Sequence, residues 1–163
     1  MVAFFCPTMP ETQTATIAPD EAAGTLGHVR HEYTPVFWNG LEAGSFDDAQ
    51  TLERVREEIV VLLAGGIAEE RVNGKADRIG ARSDHEKACD LALLAASGDE
   101  REATALLKRL ESRTAQLVAD HWADIERIAD VLCAERTISA GRVRQLLGAP
   151  EIPRLSAVSI AGS

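Results

Sequence analysis

From Glu100 to Arg136 the chain carries an almost unbroken helical pattern. Ala103, Leu106, Leu107, Leu110, Leu117, Val118, Ile125, Ile128, Ala129 and Leu132 fall on one apolar stripe. The stretch is too long for one ordinary globular helix, so a break near Asp120 to Trp122 is expected. Two helices would then fold back as a hairpin with Trp122 anchoring the corner. A chain committed to such a stripe must bury it against other helices.

The rest of the sequence supplies them. Leu52, Val55, Ile59, Leu62, Leu63 and Ile67 recur at spacings of three and four after a capping-box-like Ser45 and Asp48, which predicts a long amphipathic helix. Gly65 and Gly66 interrupt it at a propensity cost of ~1 kcal/mol each relative to alanine, so close packing against another backbone is expected as compensation. A second helix is expected from Ser83, with Glu86 three residues on and an apolar face of Ala88, Leu91, Ala92 and Ala95. Ser97-Gly98-Asp99 ends it and caps the next, and Ser139 caps a short last helix running through Leu147. Arg71 to Arg82, with Asn73-Gly74 and Gly80, reads as a loop.

Near the N-terminus, Thr14 to Ile17 and Gly24 to Arg30 read as two short strands of a hairpin or edge ribbon. Tyr33 to Gly44 reads as a loop with aromatic anchors. Residues 1–13, with Pro7 and Pro10, read as an irregular lead-in with little packing, and 149–163 as a disordered tail. The expected fold is mainly α, in the α+β class: four to five helices around one core with a small β ribbon near the N-terminus, over residues 14–148.

Composition narrows the function. The 163 residues are 45% hydrophobic, enough for one core, and the formal charge is -9, so polyanions are repelled and a nucleic-acid partner is not expected. Cys6, Cys89 and Cys133 form no C-x-x-C pair and read as free thiols, which with the acidic charge points to the cytoplasm. No apolar run approaches the ~18 residues of a membrane span. The chain spells neither G-x-x-x-x-G-K-[ST] nor G-x-G-x-x-G, so nucleotide binding has no support, and it carries no G-x-S-x-G nucleophile elbow.

Four histidines make metal binding the first chemistry to test. In H-E-x-x-H two imidazoles project from one helix face and the glutamate activates a metal-held water. This chain never completes the motif. His31-Glu32-Tyr33-Thr34-Pro35 ends in a proline that disfavours helix before it. In His85-Glu86-Lys87-Ala88-Cys89, His85 and Cys89 share a helix face and are possible ligands. The plainer reading has Glu86 completing the Ser83 cap, His85 solvated and Cys89 acting as a small hydrophobe. His28 and His31 lie on a strand, where that spacing points them to opposite faces. His121 reads as a surface or hinge residue.

Leu62-Leu63-Ala64-Gly65-Gly66-Ile67-Ala68-Glu69-Glu70, followed by Gly80-Ala81-Arg82-Ser83-Asp84, resembles the peptidase domain of the FtsH-type ATP-dependent zinc metalloproteases. That family has a Gly-Gly/Arg-x-Ala-Glu-Glu helix end and then a Gly-Ala-x-x-Asp helix start. Ala15-Thr16-Ile17 to Leu26-Gly27 is similar to the family's strand pair beside the cleft. Ile125 to Leu132, with Thr137-Ile138 and Arg142-Val143, is similar to its closing helices. The resemblance spans about residues 14 to 148.

It implies zinc as cofactor, proteolysis as activity, and Asp84 as the third zinc ligand beside the two histidines of H-E-x-x-H. It also implies an ATPase or protease partner chain. The H-E-x-x-H helix should precede Ala15, where too few residues stand to hold it, and the ATPase module is missing too. The chain is therefore expected to be inactive by itself, as a degenerate relative, as the downstream part of a longer product, or with ligands supplied by a partner. The competing expectation is a non-catalytic interaction or adaptor domain that takes a peptide at the edge strand near residues 24 to 30.

Overall fold

The computed structural model describes residues 5–6, 12–19, 28–31, 49–74 and 80–148. In chain order these form strands β1 (Thr12–Thr16) and β2 (His28–His31), then helices α1 (Ala49–Asn73), α2 (Gly80–Ala95), α3 (Glu100–Asp120) and α4 (Trp122–Glu135). Strand β3 (Thr137–Ser139) and helix α5 (Ala140–Leu146) follow. The fold is mainly helical with a small antiparallel sheet, as the periodicity predicts.

Helix α1 is the centre of the packing, lying against both α2 and α3. Val55, Ile59 and Val60 are fully buried and Leu63 nearly so. Opposite them α2 presents Ala88 and Ala92, whose small side chains let the two helices approach closely, while α3 adds Ala103, Leu106, Leu110 and Val118. Thr114 is also buried, and its hydroxyl donates to the Leu110 carbonyl at 2.7 Å, which satisfies that group.

The expected break falls at His121, with φ -105° and ψ 21°, between α3 and α4. The two helices do not form a tightly packed hairpin. α4 buries no residue fully and packs against β3 and α5 as well as α3. Trp122 sits half-buried at the corner with the Arg71 guanidinium 4.3 Å above its ring, and His121 stacks on Phe5 with centroids 3.7 Å apart. Asp99 caps α3 as predicted, its Oδ1 accepting from the backbone of Arg101 at 2.8 Å and Glu102 at 3.0 Å.

Four local expectations give way. The stretch read as a loop from Arg71 to Arg82 is helical at both ends, through Asn73 and again from Gly80. Helix α2 begins at Gly80, so Ser83 lies inside its first turn, and Glu86 pairs with Arg82 at 2.8 Å instead of completing a cap. Gly65 has open space where a Cβ would stand, so it is not held by a crossing backbone. Cys6, within the stretch expected to pack little, is buried in the helical core. Its thiol is pushed up to about 11, first by burial and then by the Glu57 carboxylate. The Ser45 cap, the Tyr33 to Gly44 loop and the 149–163 tail lie outside the described residues.

The sheet has the order β2-β1-β3, with both neighbours antiparallel to β1. Three residues are too few for alternation to reveal β3, and Thr137-Ile138, grouped by the resemblance with the closing helices, is a strand instead. Its pairing with β1, Ala15 opposite Ile138, makes it a strand. Arg136 turns the chain into it with φ 60°, and its carbonyl accepts from the Ile17 amide at 2.9 Å and the Thr16 hydroxyl at 3.1 Å. Ile138, Ala140 and Val143 are buried where β3 and α5 meet β1. Ser139 caps α5 by accepting from the Arg142 amide at 3.3 Å, and Arg127 donates to the Leu146 carbonyl at its end at 2.8 Å.

Two substitutions check this account. Ile59→Ala should cost about 2–5 kcal/mol in denaturant unfolding with the slope unchanged. Arg136→Gly should stabilise by about 1 kcal/mol, because a left-handed backbone is strained for any residue with a Cβ and exposed Arg136 acts here through its main chain.

Candidate functional site

The short connection between packed helices α1 and α2 brings the end of one beside the start of the other. Together with the middle of α3 they enclose a cleft of about 500 Å³. Leu62, Leu63, Gly66, Ile67 and Glu70 come from α1, Ala81 and His85 from α2, and Glu111, Ser112 and Ala115 from α3. Of the two segments that carry the family resemblance, Leu62 to Glu70 contributes five lining residues and Gly80 to Asp84 contributes Ala81.

His85 and Cys89 share a face, as their spacing of four requires, with His85 Nδ1 3.6 Å from Cys89 Sγ. The other ring nitrogen, Nε2, is directed across the cleft and lies 3.7 Å from Glu111 Oε1. The imidazole therefore bridges two partners from opposite edges instead of converging with them on one point. The Cys89 thiol is raised above its ordinary value, first by burial and then by the carboxylates of Asp90, Glu111 and Glu86, so it is a protonated thiol at neutral pH rather than an activated nucleophile.

Asp84 is separate from this pair. Its side chain is 46% exposed and its carboxylate lies 3.7 Å from Lys87 Nζ. It also acts on α1: the Glu58 carboxyl is raised, first by burial, against the pull of the Lys87 ammonium and with a further push from Asp84. Among the described residues no three His, Cys, Asp or Glu side chains gather into a metal-binding group. His28 and His31 both lie in β2, and His121 Nδ1 is 3.6 Å from Asp124 Oδ2 at the α3–α4 corner. Among the described residues no helix is long and apolar enough to cross a membrane.

Glu111, Ser112 and Ala115 escaped the reading of the sequence because they lie off the apolar stripe of α3. Nothing local marks them; only the way α3 packs beside α1 brings them to the cleft. No protein-family model and no curated protein matches the chain.

The raised Glu58 carboxyl makes stability pH-dependent in a defined direction. Its folded value lies above the ordinary 4.5, so the folded state binds a proton more readily than the unfolded one. That contribution is complete below the unfolded value and is lost as pH rises through the folded one. Glu58→Gln, which mimics the protonated form, should raise the melting temperature at pH 7, with the gain shrinking toward pH 4.5. Thermal melts at both pH values check this, and a lower melting temperature at pH 7 would show that the attraction to Lys87 dominates.

Proposed function

We propose that this chain is a relative of the peptidase domain of ATP-dependent zinc metalloproteases and that it is inactive in proteolysis by itself. The observation that supports the reading is that the Gly-Gly segment lies in the last turns of α1 and the Gly-Ala-x-x-Asp segment opens α2, where Gly66 and Ala81 adjoin one cleft and Asp84 stands outside its lining. Asp84 is half-exposed and loosely paired with Lys87, and an exposed ion pair of that kind contributes about 1 kcal/mol or less, so a metal could recruit the carboxylate at small cost.

Among the described residues the donors do not make a zinc site. A tetrahedral centre needs several converging ligands, and hydrolysis also needs a water held beside a base. Asp84 is one donor, Lys87 beside it is a cation, and His85 and Cys89 lie on another face. In this reading the histidines and the glutamate base come from a polypeptide segment outside residues 1–163, which can be a partner chain, and Asp84 is this chain's contribution.

A second reading, a peptide-accepting adaptor, is favoured by the sheet order. It puts β2 at an edge with Val29 exposed, and an edge strand offers unpaired backbone groups to an added strand.

Zinc content and casein cleavage, measured on this chain and on a form extended N-terminally with an H-E-x-x-H helix, separate the two. The chain alone should bind no stoichiometric zinc. The extended form should bind it, and Asp84→Asn should weaken that binding tenfold or more, about 1.4 kcal/mol. Zinc binding indifferent to Asp84→Asn, or no binding in the extended form, would refute the ligand role. Capture of an extended peptide with no metal in any form would support the adaptor.

A further inference from the structure

We propose that the cleft between α1, α2 and α3 is a docking groove for an amphipathic helix of a partner protein, one whose apolar stripe is flanked by arginine or lysine. The floor is apolar, formed by Leu62, Leu63 and Ile67. Each of the three helices also presents a small residue to it, Gly66, Ala81 and Ala115, which widens the space above the floor. No residue of helix α4, next in the chain, is among the described residues that line the space.

Charge decides the occupant. Glu70 and Glu111 stand in the cleft wall; among the described residues that line it there is no lysine or arginine, and His85 lies against Glu111 at 3.7 Å. A helix that seats leucine-sized side chains on the floor and a cation beside each carboxylate satisfies both features of the wall. A second copy of this chain, with formal charge -9, would be repelled on average. Asp84 is not among the lining residues, so the inference stands apart from the zinc reading.

The test uses a fluorescein-labelled helical peptide of about 18 residues, long enough to hold a helix, with leucines at helical spacing and flanking arginines. Saturable anisotropy binding that weakens with added salt is expected. A peptide with glutamate in place of each arginine, and one interrupted by proline, should bind at least about fivefold more weakly. The Glu70→Gln/Glu111→Gln double variant should lose about fivefold, the scale of two half-exposed ion pairs. Ala115→Trp fills the cleft from an exposed position and should abolish binding, with circular dichroism and melting confirming that both variants fold. Equal affinity for the arginine and glutamate peptides, binding unchanged in both variants, or no saturable binding would overturn the proposal. So would a dimer of the chain that Ala115→Trp dissociates.

Discussion

The burial of one face of α1 is the contact on which the remaining structure depends. Val55, Ile59, Val60 and Leu63 are packed from one side by α2 and from the other by α3. Because α2 offers alanines there, α1 and α2 approach closely, and the larger apolar residues of α3 fill the remaining volume. Removing this face would leave three amphipathic helices with nothing to bury, since helix propensity alone sustains isolated helices of such lengths only marginally.

That packing also creates the cleft. Helices α1 and α2 run back on each other over a short connection, and α3 lies beside α1, so the residues just off the buried face of all three are left lining a concave surface. The same arrangement divides the site chemically. His85 is turned toward Glu111 and the apolar floor, whereas Asp84, its neighbour in sequence, faces Lys87 and Glu58, because successive helical residues point about 100° apart. Adjacent in sequence, the two side chains thus meet different partners.

The small sheet ties distant parts of the chain together. β1 receives β2 on one edge and β3 on the other, so the segment before the helices and the segment after them are held by one strand. The left-handed turn at Arg136 makes this possible, and the Thr16 and Thr137 hydroxyls, 2.7 Å apart, add a contact across the same pair. Buried Ile138 anchors the strand from beneath.

The helices, the break at His121, the Asp99 and Ser139 caps and the β1–β2 pairing were legible in the residue order, because each follows from local rules of period, capping and strand propensity. The pairing of His85 with Cys89 was legible too, from a spacing of four on one helix. β3, the burial of Cys6, the open surroundings of Gly65 and the arrival of Glu111 at the cleft were not, since each depends on which element lies alongside another. The sequence by itself settled what each segment becomes and which face it must hide. Tertiary structure alone decided which exposed side chains meet across a gap, because those meetings are fixed by helix packing over long sequence separations and leave no periodic mark in the chain.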